Sequence, residues 1–185
     1  MTSFKKLFLS ASALLMTASL HAQLEATQLF MKGNSITGVG AFLHVGFPVS
    51  KGDEISGEIG FDYFSPNTHH IVFAPFLVGY RHTFDGSGAG WYAEPVAGYA
   101  VGGTDIEKTD ANGNTIYNSE GVAEDEKTGG PIVGLGFGYI IPNPRYPINF
   151  GLRYEHIFVS GDPSPNMLAF RVSWSVLTGR RLSAQ

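Results

Sequence analysis

The chain has 185 residues, 43% of them hydrophobic and 15% charged, with 24 glycines, 14 phenylalanines, 8 tyrosines and no cysteine. That length suits a single domain, and the aromatic content excludes a disordered chain. The lack of cysteine excludes disulfides, thiolate metal sites and a cysteine nucleophile. Twelve basic residues against sixteen acidic ones leave no basic surface for nucleic acid.

At the start of the chain, Lys5 and Lys6 precede a mostly apolar run from Leu7 to Leu20, and Ala22 follows. Charge, apolar core and small exit residue in that order predict a secretory signal peptide over 1–22, cleaved after Ala22. Ser10, Ser12, Thr17 and Ser19 interrupt the core, which falls short of the roughly 20 apolar residues of a membrane-spanning helix. The expected mature chain, 23–185, keeps ten basic and sixteen acidic residues and forms one domain.

Beyond the leader no helical stripe stands out, and apolar residues alternate with small or polar ones at the period of two that marks strands. Seven segments carry the pattern clearly, at about 36–47, from 55, ending at 84, 91–101, 131–141, from 148, and 168–176. From Ile55, for example, Ile55, Ile59, Phe61 and Tyr63 share one face, while Glu54, Ser56, Glu58, Gly60 and Asp62 share the other. Residues 24–31 alternate poorly. They are expected to supply an eighth strand because single-chain outer-membrane barrels have an even strand number. The predicted fold class is therefore all-β, a closed antiparallel up-and-down transmembrane barrel of eight strands.

A soluble barrel turns its apolar face inward, and a membrane barrel turns it to lipid. Here the face opposite the aromatics is mostly glycine, alanine, serine and ionisable residues, small enough for the narrow interior of eight strands. The connections 49–54, 85–90 and 142–147 are tight, whereas 103–128 is long. Short turns on the periplasmic side and longer loops outside are the membrane-barrel arrangement. Glu58, Asp62, Arg81, Glu94, Arg153, Glu155 and Arg171 then face the lumen. They are expected to form a structural network of paired charges, with Arg81 between Glu58 or Asp62 and Glu94, and Arg171 beside Arg153 and Glu155. No polar defect is evident on the lipid-facing side, and closure leaves no edge strand to pair, so a monomer is expected.

Loop 103–128 holds seven acids and two lysines. A calcium loop starting at Asp110 fails, because Thr115 stands where glycine is required and Gly121 where the bidentate glutamate should be. Asn112-Gly113 predicts a hairpin turn instead. His69 and His70 point apart in an extended chain and give no metal set. No cofactor signature occurs.

The stretches GYRHTF (79–84), WYAEPVAGY (91–99), VGLGFGY (133–139) and INFGLRYEH (148–156) resemble the small eight-stranded outer-membrane β-barrel proteins of Gram-negative bacteria, the OmpA-type and opacity-like group. The resemblance covers roughly 24–178 and implies residence in the cell outer membrane. It also implies contact with outer-membrane lipids and lipopolysaccharide, and insertion by the outer-membrane assembly machinery. Such chains often end on an aromatic residue, but this one ends Arg181-Leu182-Ser183-Ala184-Gln185, so the last strand is expected to stop near Leu177. The run 153–166 is also similar to the lipid A deacylase barrels, in which a histidine works with a serine two residues on. His156 matches the histidine, but Phe158 replaces the serine, and Ser160 lies about 13 Å along an extended strand. The expected function is a non-enzymatic structural or surface-interaction barrel without catalytic residues. The alternatives are a lipid A-modifying enzyme with a degenerate site at His156 and a narrow pore.

Overall fold

A computed structural model describes residues 18–177, apart from 32, 67–68, 105–107, 109, 111–113, 124–127, 144–146 and 160–163. Most of the leader, the Asn112-Gly113 turn, Ser160 and the C-terminal tail lie outside the described residues. Eight strands follow one another as β1 (Ser19–Met31), β2 (Asn34–Pro48), β3 (Asp53–Phe64), β4 (Ile71–Thr83), β5 (Gly90–Thr104), β6 (Gly130–Ile141), β7 (Ile148–Ile157) and β8 (Asn166–Leu177). Each pairs antiparallel with the next, and β1 pairs with β8, so the sheet closes in chain order. Closure satisfies the backbone of every strand on both sides, the condition for strands to cross a bilayer.

The weak first strand is fully part of the wall. Residues from Ser19 to Met31 pair with β2, and residues from Leu20 to Phe30 pair with β8. The strand therefore begins four residues before the expected cleavage point. Cleavage after Ala22 would leave Gln23–Met31, nine residues that pair with β2, all but Met31 also pairing with β8. At its other end only 32–33 separate β1 from β2, with Gly33 at φ +74°. The long connection is confined to β5–β6, which marks that end of the barrel as the outer one. At the opposite end, the turn after β4 is built on Asp85, whose carboxylate accepts from the Ser87 amide (2.9 Å) and hydroxyl (2.8 Å). Those bonds hold the Asp85 carboxyl below its ordinary range.

Period-two alternation divides the residues as expected. Leu24, Val39, Leu43, Phe61, Phe76, Val78, Trp91, Leu135, Leu152, Phe170 and Trp174 are exposed on the outside. The inward face carries Gln23, Glu25, Thr27, His44, Ser56, Glu58, Glu94, Arg153, Arg171 and Ser173, all buried. Large inward side chains lie over inward glycines. A Cβ at Gly60 would stand 2.4 Å from the Phe42 ring, and one at Gly138 would stand 2.6 Å from the Tyr92 hydroxyl. Glycine on those strands is the complement of aromatics reaching across from their neighbours.

The lumen differs from the expected small and charged filling in its outer half. Leu29, Phe64, Ile71, Phe73, Leu77, Val96, Ala100, Ile132, Ile157 and Met167 form an apolar cluster there. Phe64 and Phe73 pack edge to face at 6.1 Å between ring centres. This plug closes the barrel on the loop side of the charged layer, because the strand ends nearest the loops turn apolar residues inward.

Candidate functional site

The seven lumenal charges predicted from sequence all face inward and are nearly inaccessible, with Glu94 at 0% exposure, Arg153 at 1% and Asp62 at 1%. Closure brings together residues far apart in sequence. Arg153, on β7, donates from both terminal nitrogens to Glu58 on β3, at 2.6 and 2.7 Å. Arg171, on β8, donates to the same carboxylate at 2.8 Å. Charge-assisted, two-pronged contacts of this kind are the strongest hydrogen bonds proteins make. Glu58 is thus the hub of the lumen.

Arg81 pairs with Glu94 at 3.1 Å and with Glu54 at 3.5 Å, and its guanidinium lies over the Tyr92 ring at 4.7 Å. The expected Glu58 or Asp62 partner of Arg81 is therefore replaced by Glu54, which stands directly opposite Arg81 in the β3–β4 register. Arg171 does not pair with Glu155. It reaches across to Glu58 and meets Glu25 of β1 at 2.5 Å, while Glu155 lies 3.3 Å from Arg153. Asp62 stands outside the ion pairs. One of its oxygens accepts from Thr27 at 3.2 Å, and the other has no hydrogen-bond partner.

Three members of the network were not among the predicted site residues. His44 bridges Glu58 (2.9 Å) and Glu54 (3.1 Å), Glu54 engages Arg81, and Glu25 engages Arg171. Glu54 and His44 fall on the lumenal faces that alternation assigns, so both were recoverable from the pattern. Glu25 lies on the strand whose alternation is poor. Among the described residues, six carboxylates (Glu25, Glu54, Glu58, Asp62, Glu94 and Glu155) thus share the lumen with three guanidiniums.

His44, Glu58 and Glu94 bring possible metal-ligand atoms within 4.8 Å of one another. The chemistry of the site does not suit a cation, because Glu58 already accepts from Arg153 and Arg171, and Glu94 from Arg81 and Ser56. A divalent ion there would face guanidiniums. Glu58 and Glu94 belong to the acidic half of an ion-pair layer, and His44 pairs with Glu58.

Near the outer end of the wall, His156 packs edge to face on Phe158 at 4.5 Å between ring centres, and its Nδ1 lies 2.8 Å from Asn166 Oδ1. Phe158 fills the place where the deacylase-like reading needs a hydroxyl.

Neither a protein-family profile nor a curated protein sequence matches the chain. Solved structures do. Neisserial surface protein A superposes with a TM-score of 0.63 at 10% identity, covering 86% of this chain and 96% of its own. The attachment invasion locus protein of Yersinia pestis gives 0.58 at 10% identity, covering 85% and 95%. The same protein in complex with the heparin analogue sucrose octasulfate gives 0.57 at 11% identity, again covering 85% and 95%. At such identities the likeness shows the fold, that of the eight-stranded transmembrane barrels of outer membranes.

Proposed function

We propose that this chain is a non-enzymatic outer-membrane barrel with a structural or surface-interaction role. In this reading it is exported by the Sec route, cleaved after Ala22, inserted by the outer-membrane assembly machinery, and held as a monomer among outer-membrane lipids and lipopolysaccharide. The observation that carries the reading is the inversion of its faces. Apolar and aromatic side chains cover the outside of a closed barrel, and its arginines and carboxylates lie inside. A water-soluble barrel would have to leave Phe61, Phe76, Phe137, Phe150 and Phe170, each 39–50% exposed, in water. Patches of that size mark a surface built for another medium.

A pore is disfavoured by the lumen contents, since the Glu58–Arg153–Arg171 layer is backed by the apolar plug around Phe64 and Phe73. Lipid A chemistry is disfavoured by Phe158 beside His156. The Yersinia protein's sulfated ligand is a poor guide to this chain, because seven acids and two lysines in 103–128 give the outer loop the wrong sign for a sulfate-rich partner.

Cell fractionation with gel migration before and after boiling tests the reading. Recovery in the outer-membrane fraction, with a fast-migrating form that slows on boiling, is the expected result. A freely soluble periplasmic species with a single migration would overturn it.

A further inference from the structure

Cleavage after Ala22, as proposed above, takes four residues out of the barrel wall. In the uncleaved strand Ser19, Leu20, His21 and Ala22 pair with Gly46, Val45, His44 and Leu43 of β2, and Leu20, His21 and Ala22 pair with Leu177, Ser175 and Trp174 of β8. Their removal leaves a slot one strand wide and about 13 Å deep at the inner rim. Both flanks then carry backbone groups that have lost their ladder partners. These groups lie level with Leu43, Trp174 and Val176, all exposed on the apolar outer face, so in the membrane reading lipid rather than water adjoins them.

The slot has chemistry as well as shape. Ser19 and His21 point inward, where the Ser19 hydroxyl donates to Glu54 at 3.4 Å and His21 packs edge to face on His44 at 5.6 Å between ring centres. Leu20 and Ala22 alternate with them on the outer face. Glu54 leans over Gly46, the residue opposite Ser19, so closely that a Cβ there would clash with its carboxyl group. A carboxylate therefore borders the vacated place.

Eight residues, 178–185, follow β8 in the sequence, and β8 reaches the inner rim beside the slot. We infer that this tail turns back and fills it, an inference that rests on the cleavage reading above. Thr178-Gly179-Arg180 has the length and the glycine of a three-residue hairpin loop. A chain reversed there runs antiparallel to both β8 and β2, as β1 does. A loop of that length sets Ser183 against Ser175 and Ala184 against Trp174, the same β8 partners that His21 and Ala22 have. Arg181-Leu182-Ser183-Ala184 thus take the places of Ser19-Leu20-His21-Ala22, and the two quartets share leucine and alanine at the positions that face lipid. Arg181 arrives beside Glu54, guanidinium against carboxylate. Attachment of the tail to one flank makes the closure intramolecular, so no partner concentration is needed.

The test uses the mature full chain folded in detergent micelles, whose lack of cysteine makes an added pair unambiguous. V45C/L182C is expected to form a disulfide within one molecule, because Leu182 in the place of Leu20 faces Val45. I148C/L182C is the comparison. Ile148 of β7 stands opposite Trp174, two strand spacings or about 10 Å from the filled slot and beyond the roughly 7 Å that a disulfide bridges. A severalfold higher yield from the first pair is expected, and R181A should lower it. A chain ended after Leu177, read without any cysteine, is expected to lose its folded form at lower denaturant and to exchange the amides of 43–46 faster. Equal yields from the two pairs, disulfides between molecules, or a truncated chain that matches the full one in both readings would overturn the docking while leaving the barrel and its cleavage intact. Intact mass reports the cleavage itself. A chain that retains 19–22 has no slot, and that result would overturn both.

Discussion

At the scale of single residues, the lumen is governed by how many partners each charge has. Glu58 accepts from Arg153, Arg171 and His44, all shielded from water. Removing one member of a buried ionic network leaves the others uncompensated, at a cost of about 3–5 kcal/mol. Glu58→Gln should therefore lower the denaturant midpoint for loss of the fast-migrating form, by a shift that multiplied by the denaturant slope falls in that range. Asp62 presents the opposite case. It has one hydroxyl partner and one unpartnered oxygen, and it sits among carboxylates that outnumber guanidiniums. Asp62→Asn removes an unpaired acid and should leave that midpoint unchanged or raise it. If the two substitutions shift the midpoint equally, the assignment of Glu58 as the hub is wrong. The hub could not be read from sequence, because 95 residues separate Glu58 from Arg153 and their meeting depends on closure across the lumen. Their inward direction could be read, because parity along each strand fixes it.

At the scale of strands, legibility follows contrast between the two faces. β6 alternates glycine with large apolar residues over 133–139, and its limits, Gly130–Ile141, lie within a residue of those expected. In β1 the inward residues are Gln23, Glu25, Thr27 and Leu29, but Ala26 and Gln28 stand outward, so the pattern is blurred and Glu25 escaped notice. In β4 the run 71–78 is apolar on both faces, with Ile71, Phe73 and Leu77 inward and Val72, Phe76 and Val78 outward. Alternation cannot reveal a plug whose residues match the lipid face. Packing across neighbouring strands yields a further prediction. Gly138→Val would drive a side chain against the Tyr92 hydroxyl and the Phe150 carbonyl, at about 1–3 kcal/mol of overpacking. Pairing it with Tyr92→Ala should recover part of that loss in the same denaturation assay, because the clash is with the ring. No recovery would mean that the backbone contact dominates.

At the scale of the whole molecule, a charged layer and an apolar plug in series leave no continuous aqueous path to expect. Planar bilayers containing the folded chain should show no steady open conductance, and single-variant openings should need loss of the plug as well as of the ion pairs. A steady wild-type conductance would require a different lumen. The central claim is that the apolar face meets lipid, and the two tryptophans, the only ones in the chain, report on it directly. Trp91 and Trp174 both project outward, 55% and 40% exposed. With the chain reconstituted in bilayers whose acyl chains carry bromine near the headgroup, fluorescence from both should be strongly quenched while aqueous iodide has little effect. Strong quenching by iodide and none by the brominated chains would contradict the account and place that face in water.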